Sequence, residues 1–259
     1  MVSTVVSYGI VSGNLERSLS ATAKKPLVAR ETEYYLENIR NIKSIDDFIG
    51  NNRIFAYAMK AFGLEEMTYA KAFIRKVLTE GVDSSESFAN TLTDSRYKEF
   101  AEAFNFARYG SATTAFDRTQ QGTVDRYVRQ ALEEDVGEDN EGVRLALYFE
   151  RKADSLVSAY GILADAALLK VAQTALGLPA ATSALDIEKQ AALIDARLDI
   201  ADLKDPEKLK TFLTRFASLW EIDNPSTVQS SSAVLFAQPI ELGIGQDLLA
   251  SLQNLKRGG

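Results

Sequence analysis

The densest set of potential ligand atoms in the chain is Glu133-Glu134-Asp135-Val136-Gly137-Glu138-Asp139-Asn140-Glu141. Such a run of oxygen donors invites a calcium reading. A calcium loop, however, alternates its ligands around a glycine and closes with a glutamate at the twelfth position, and this run does not. It reads as one helix ending at Gly137, solvated acids, and a second helix capped near Asn140. The chain has no His and no Cys, which removes Ser-His-Asp triads, Cys-His pairs, disulfides and Cys/His zinc sites. Gly243-Ile244-Gly245 lacks the third glycine and the preceding strand of a dinucleotide fingerprint, and no Gly-Lys-Ser/Thr phosphate loop is present. Paired carboxylates occur anywhere in an acidic chain and single out no pair. No motif marks a Ser-Lys dyad. These readings predict a protein that is not an enzyme and holds no metal or cofactor.

Charge narrows the partners. Twenty-nine Lys and Arg face 36 Asp and Glu, a formal net charge of −7. Nucleic acid and anionic lipid both select basic surfaces, so neither is an expected partner. No stretch approaches the ~20 apolar residues needed to span a bilayer, and no membrane insertion is expected. The segment Met1-Val2-Ser3-Thr4-Val5-Val6-Ser7-Tyr8-Gly9 has neither the basic region nor the sustained apolar region of a secretory signal.

The elements that must position any site are helical. Asp205-Pro206-Glu207 supplies a cap, a proline at the first helical position and an acid in the first turn. Leu209, Phe212, Leu213, Phe216, Leu219 and Trp220 then recur at three- and four-residue steps, as do Tyr97, Phe100, Ala101, Phe104 and Ala107. Asp83-Ser84-Ser85-Glu86 reads as a capping box. Gly63, Gly81, Gly110 and Gly177 each close an apolar run, where a left-handed residue is most easily a glycine. Near the C-terminus, Leu248, Leu249, Leu252 and Leu255 line one face of a short amphipathic helix. The predicted class is all-α.

At 259 residues, with 46% hydrophobic and 25% charged side chains, the chain has ordinary globular composition and room for one or two domains. An internal repeat organises it. Arg30 with Tyr34-Tyr35, and Arg144 with Tyr148-Phe149, stand at one spacing; Ala58 to Leu64 and Ala172 to Leu178 stand at the same offset. The expected layout is a first helical unit with its N-terminal segment over 1–107 (repeat core 14–107), a polar connector over 108–122, and a second unit over 123–220. A linker and the apolar C-terminal segment occupy 221–259. Arg30 and Arg144 are candidate contacts for an anion or a partner. Their structural reading is that each pairs with an acid or caps carbonyls on a neighbouring helix. The C-terminal leucines are a further interaction candidate, expected to cover an apolar groove on the body because a Ser-rich linker holds them at high effective concentration.

Several stretches also carry a resemblance. Leu15-Glu16-Arg17-Ser18-Leu19, Val28 through Leu36, Tyr57 through Leu64, Ala70 through Leu78 and Glu141 through Arg151 resemble a bacterial family catalogued as domain of unknown function 1217. The resemblance implies an alphaproteobacterial source and genes commonly found among flagellar genes, and it assigns no catalytic residues. It therefore implies a non-catalytic structural or interaction protein of flagellar assembly or motility, with protein partners. Its place would be the cytoplasm, or export through the flagellar apparatus without a cleaved signal. The alternatives are a small-ligand sensor with a pocket between the units, and a carboxylate-dependent enzyme.

Overall fold

The computed structural model describes residues 2–224, and every regular element among them is helical. The α-helices are α1 (Thr4–Gly13), α2 (Leu15–Ala23), α3 (Pro26–Asn38), α4 (Ile45–Gly50), α5 (Asn52–Ala61), α6 (Lys71–Glu80), α7 (Phe88–Thr91) and α8 (Ser95–Ala103). They continue with α9 (Phe106–Tyr109), α10 (Gln121–Asp139), α11 (Glu141–Lys152), α12 (Ala159–Leu163), α13 (Ala166–Leu176), α14 (Ile187–Asp195) and α15 (Pro206–Asp223). The C-terminal helix expected around Leu248, Leu249, Leu252 and Leu255 lies outside the described residues.

Local chemistry explains the helix ends. Asp205 accepts from the backbone N–H groups of Glu207 and Lys208 and sets the start of α15, with Pro206 behind it. Gly177 closes α13 in the left-handed conformation; its N–H bonds to Thr174 O and the Leu178 N–H reaches Gln173 O at 2.8 Å. The end of α5 repeats this pattern, with Gly63 N–H on Lys60 O and Leu64 N–H on Met59 O at 2.8 Å. Two expected boundaries are corrected. No helix starts at Asp83, whose carboxylate is held by Arg108 instead. α10 runs through Gly137 to Asp139, although Asn140 does cap α11 by accepting from the Val143 N–H.

Apolar side chains gather in two cores. The first spans Val28 to Ala131 and is rich in aromatic rings, with Phe48 packed among Phe55, Phe100, Phe104 and Phe106. The second comprises Tyr8 and residues from Val143 to Phe216. From α3 and again from α11 the chain passes through one order of elements: a helix, a 3-10 turn, two helices, a second 3-10 turn and a further helix. Tyr35 and Phe149 are fully buried in their respective cores, while Tyr34 and Tyr148 pack at the edges of the same cores.

The cores do not respect the boundaries drawn from the sequence. α10 buries Val124, Tyr127, Val128 and Ala131 in the first core, where Tyr127 stacks on Tyr57 at 3.8 Å between ring centroids. Conversely, Tyr8 of α1 belongs to the second core, whereas Leu19 and Ala23 of α2 pack against the first. The physical reason is that apolar periodicity marks which face of a helix is buried but not which neighbour buries it.

The stretch 108–122, expected as a polar connector, is part of the interior. It folds into 3-10 turns over 110–115 and 117–119, with Thr113, Thr114 and Thr119 fully buried. The buried hydroxyls are satisfied by carbonyls: Thr114 Oγ1 donates to Ile42 O at 2.8 Å, and Thr119 Oγ1 to Phe116 O at 2.8 Å, beside the Thr119 N–H on the same oxygen. Tyr35 adds a 2.6 Å bond from its hydroxyl to Thr119 O. Replacing Thr114 by Val keeps the volume and leaves the Ile42 carbonyl without its donor. Urea denaturation is expected to show a loss of about 1–3 kcal/mol; an unchanged midpoint would mean that this bond carries no net stability.

Candidate functional site

A cleft of about 440 Å³ opens between the two cores, lined by the end of α5, the start of α8, one face of α10, α11 and the start of α13. The local folding of each wall is set by a polar contact that also faces the cleft. Asp94 caps α8 through the Arg96 N–H at 3.0 Å and holds the Arg96 guanidinium at 2.7 Å. Arg96 in turn donates to the carbonyl of Gly63, the residue that ends α5. Burial alone would raise the Asp94 carboxyl; the hydrogen bonds from Arg96 overcome it and hold that carboxyl below its usual range. On the opposite wall Asp165 caps α13 through the N–H groups of Ala167 and Leu168 and accepts the Tyr148 hydroxyl at 2.6 Å. Burial, reinforced by that carboxylate, pushes the Tyr148 phenol well above its ordinary value, so at neutral pH it remains a donor and not a base.

The floor is a seam of ion pairs between α8, α10 and α11. Glu133 is 2% exposed and accepts from Arg129 Nε at 3.0 Å, from Arg151 Nε at 2.8 Å and from a terminal Arg151 nitrogen at 2.8 Å. Arg129 also donates to Leu147 O at 3.0 Å. Glu99 bridges Lys152 and Arg126, and the Arg126 guanidinium lies 4.7 Å from the centre of the Phe62 ring. All five lining cations (Arg96, Arg126, Arg144, Arg151 and Lys152) thus bond an acid of the same chain. No Ser, Thr, Cys or His lines the cleft. Among the described residues no group of three or more acids is placed to hold a metal ion.

Against this geometry the sequence candidates fall apart spatially. Arg144 does line the cleft, but it pairs with Glu141 of its own helix at 2.8 Å, and its stem packs where a Gly137 Cβ would come within 2.6 Å of Arg144 Cδ. Arg30 is exposed and lies 3.4 Å from Glu31, the residue next to it, which is bonded more closely by Arg53 at 2.7 Å. Neither arginine makes the expected ion pair to a neighbouring helix. Leu248, Leu249, Leu252 and Leu255 lie outside the described residues. Glu133 was expected among solvated acids; it is the most buried carboxylate of the seam. The spacing Arg129 to Glu133 was the available signal, since residues four apart on a helix meet. Arg151 reaches Glu133 only because α10 and α11 fold back on each other at Asn140.

Fold and cleft together define an all-helical protein with two apolar cores joined through a charged, internally paired seam. Residues 61–209 match the family described as "Protein of unknown function (DUF1217)". The chain belongs to this family. It is also similar to the crystal structure of a protein from Agrobacterium tumefaciens, with 51% sequence identity, a TM-score of 0.80, and coverage of 86% of this chain and 94% of that one. No curated protein matches it significantly. No helix among the described residues is long and apolar enough to cross a membrane.

Glu150 offers a test of the seam. Burial raises its carboxyl above the ordinary value, with Arg129 opposing, and the Tyr8 hydroxyl donates to it at 3.2 Å. An acid whose pKa is raised by folding binds more protons folded than unfolded, so its contribution to stability falls as pH rises through that window. Glu150→Gln keeps an acceptor for Tyr8 and removes the buried charge. Thermal melts are expected to show the variant more stable than the parent at pH 7, with the gain shrinking as pH falls toward 4. A loss at pH 7 would show that the attraction between Glu150 and Arg129 dominates.

Proposed function

We propose that the protein is a non-catalytic structural or interaction protein of bacterial flagellar assembly or motility. The observation that carries the non-catalytic part is the cleft, whose cations are all spent on the chain's own acids and whose one hydroxyl is a phenol held protonated. A site for acid–base or nucleophilic chemistry needs a group poised to exchange a proton or attack, and the seam supplies none. The flagellar part rests on the resemblance described above, which implies genes commonly found among flagellar genes. Net charge argues for protein partners over nucleic acid. The compartment consistent with this role is the cytoplasm, or a position reached through the flagellar export apparatus.

The matching order of elements, the paired glycine stops and the equivalent burial of Tyr35 and Phe149 support an internal duplication. On that reading the cleft is the junction between copies. Its volume of about 440 Å³ falls in the range of small-ligand pockets, which supports a second reading as a sensor whose ligand would have to compete with existing ion pairs. Deletion of the gene from a motile host decides between classes. Loss of swimming or of filaments, restored by the parent gene and by Arg144→Ala alike, is the result expected for a structural part. Normal filaments and swimming would remove the flagellar reading. Restoration by the parent but not by Arg144→Ala would favour a ligand in the cleft.

A further inference from the structure

α1 is covalently part of one half of the molecule and packs in the other. Its inner face completes the second core: Thr4 and Tyr8 are buried, and the Tyr8 hydroxyl donates to Glu150. Asn140 Nδ2 donates to Thr4 Oγ1 at 2.9 Å, and the Thr4 N–H is taken by Glu221. The seat is shaped for close approach, since a Cβ on Gly142 would lie 2.4 Å from Trp220 and 2.9 Å from the Thr4 methyl. α2 follows immediately and packs on α10 and the first core. The only residue between the two helices is Asn14, with φ −132° and ψ 40°. Its side chain caps nothing in α2.

The geometry points to α1 as an exchangeable helix through which two copies of this chain assemble. If Asn14 becomes helical, α1 and α2 fuse into one helix over residues 4–23, about 30 Å long, and α1 leaves its own seat. The vacated seat then accepts α1 of a second copy and reproduces every contact just described, so exchange is opposed mainly by the entropy of association. A one-residue hinge is the kind of connection that favours exchange over closure within one chain. Val6 and Ile10 on the outer ridge of α1, and Val2 just before it, are half exposed or more, and α1 carries no charged side chain. In an exchanged pair this ridge lies beside the straightened hinge, where two copies can bury it together without bringing like charges into contact. A second copy is therefore the occupant that the seat fits, independently of the proposed role in the cell.

The chain has no Cys, which makes the test direct. The full-length protein and a Thr4→Cys/Asn140→Cys variant are refolded at low and at high protein concentration, sized by light scattering after gel filtration, and oxidised. The expected result is a dimer fraction that grows with refolding concentration and becomes covalent on non-reducing gels in the double-cysteine variant, since the bond then joins different chains. Asn14→Ala raises helix propensity by about a factor of three at each of two hinges and is expected to tighten the dimer roughly tenfold. Three glycines inserted after Gly13 let α1 reach its own seat freely and are expected to abolish the dimer. Monomers alone for both the parent and Asn14→Ala overturn the proposal, and so do dimers whose cysteine bonds lie within one chain.

Discussion

Glu133 is the constraint on which the arrangement turns. A carboxylate taken out of water costs several kcal/mol unless its lone pairs are met, and Glu133 meets that requirement with Arg129 from its own helix and Arg151 from the next. Arg129, which also donates to Leu147 O, and Arg151, which reaches back to Glu133, tie α10 to α11 from both sides. On α10, Tyr127 faces the first core and stacks on Tyr57, while Val136 one helix-end later packs against the second. A helix that serves two apolar cores must present different faces along its length, and the ion seam lies where those faces change over. Removing one partner of such a pair costs more than the pair contributes, because the remaining charge stays buried.

Much of the helical scaffold was legible because its signals are local. Asp205 with Pro206, Asn140 and the glycines at 63 and 177 act on residues within one turn of themselves, and each sits where its chemistry required. Of the stripe Tyr97, Phe100, Ala101, Phe104 and Ala107, the first four are buried as the period demands, whereas Ala107 lies beyond the end of α8 and is exposed. What escaped was long-range. The spacing to Arg129 is the one local signal that sets Glu133 apart, and its burial depends on Arg151, which arrives 18 residues later across a turn. The threonines of 110–119 look like a polar loop until Ile42 and Phe116 supply carbonyls to bond. Likewise, the spacing of Arg30 and Arg144 did not show that one would face solvent and the other the cleft.

The cleft and α1 show two uses of one architecture. Between the cores, every cation that lines the cleft is paired with an acid of the same chain, which ties the walls together. At the rim, a ten-residue helix crosses from one half to the other on a single-residue hinge and closes a core to which its neighbour in sequence does not belong. The first feature makes the body one object; the second gives it an element that can be exchanged without disturbing that body.

The seam's role is tested most directly by unfolding Glu133→Ala in urea while recording two signals. Trp220 is the chain's only tryptophan and packs against the second core, so its fluorescence reports that core, whereas far-ultraviolet circular dichroism reports all helices. If the seam makes the two cores one cooperative unit, the parent unfolds with coincident transitions. The variant loses about 3–5 kcal/mol, and its two curves separate as the cores melt independently. Coincident transitions in the variant, with a midpoint close to that of the parent, would show that the cores are coupled without Glu133 and would contradict the account.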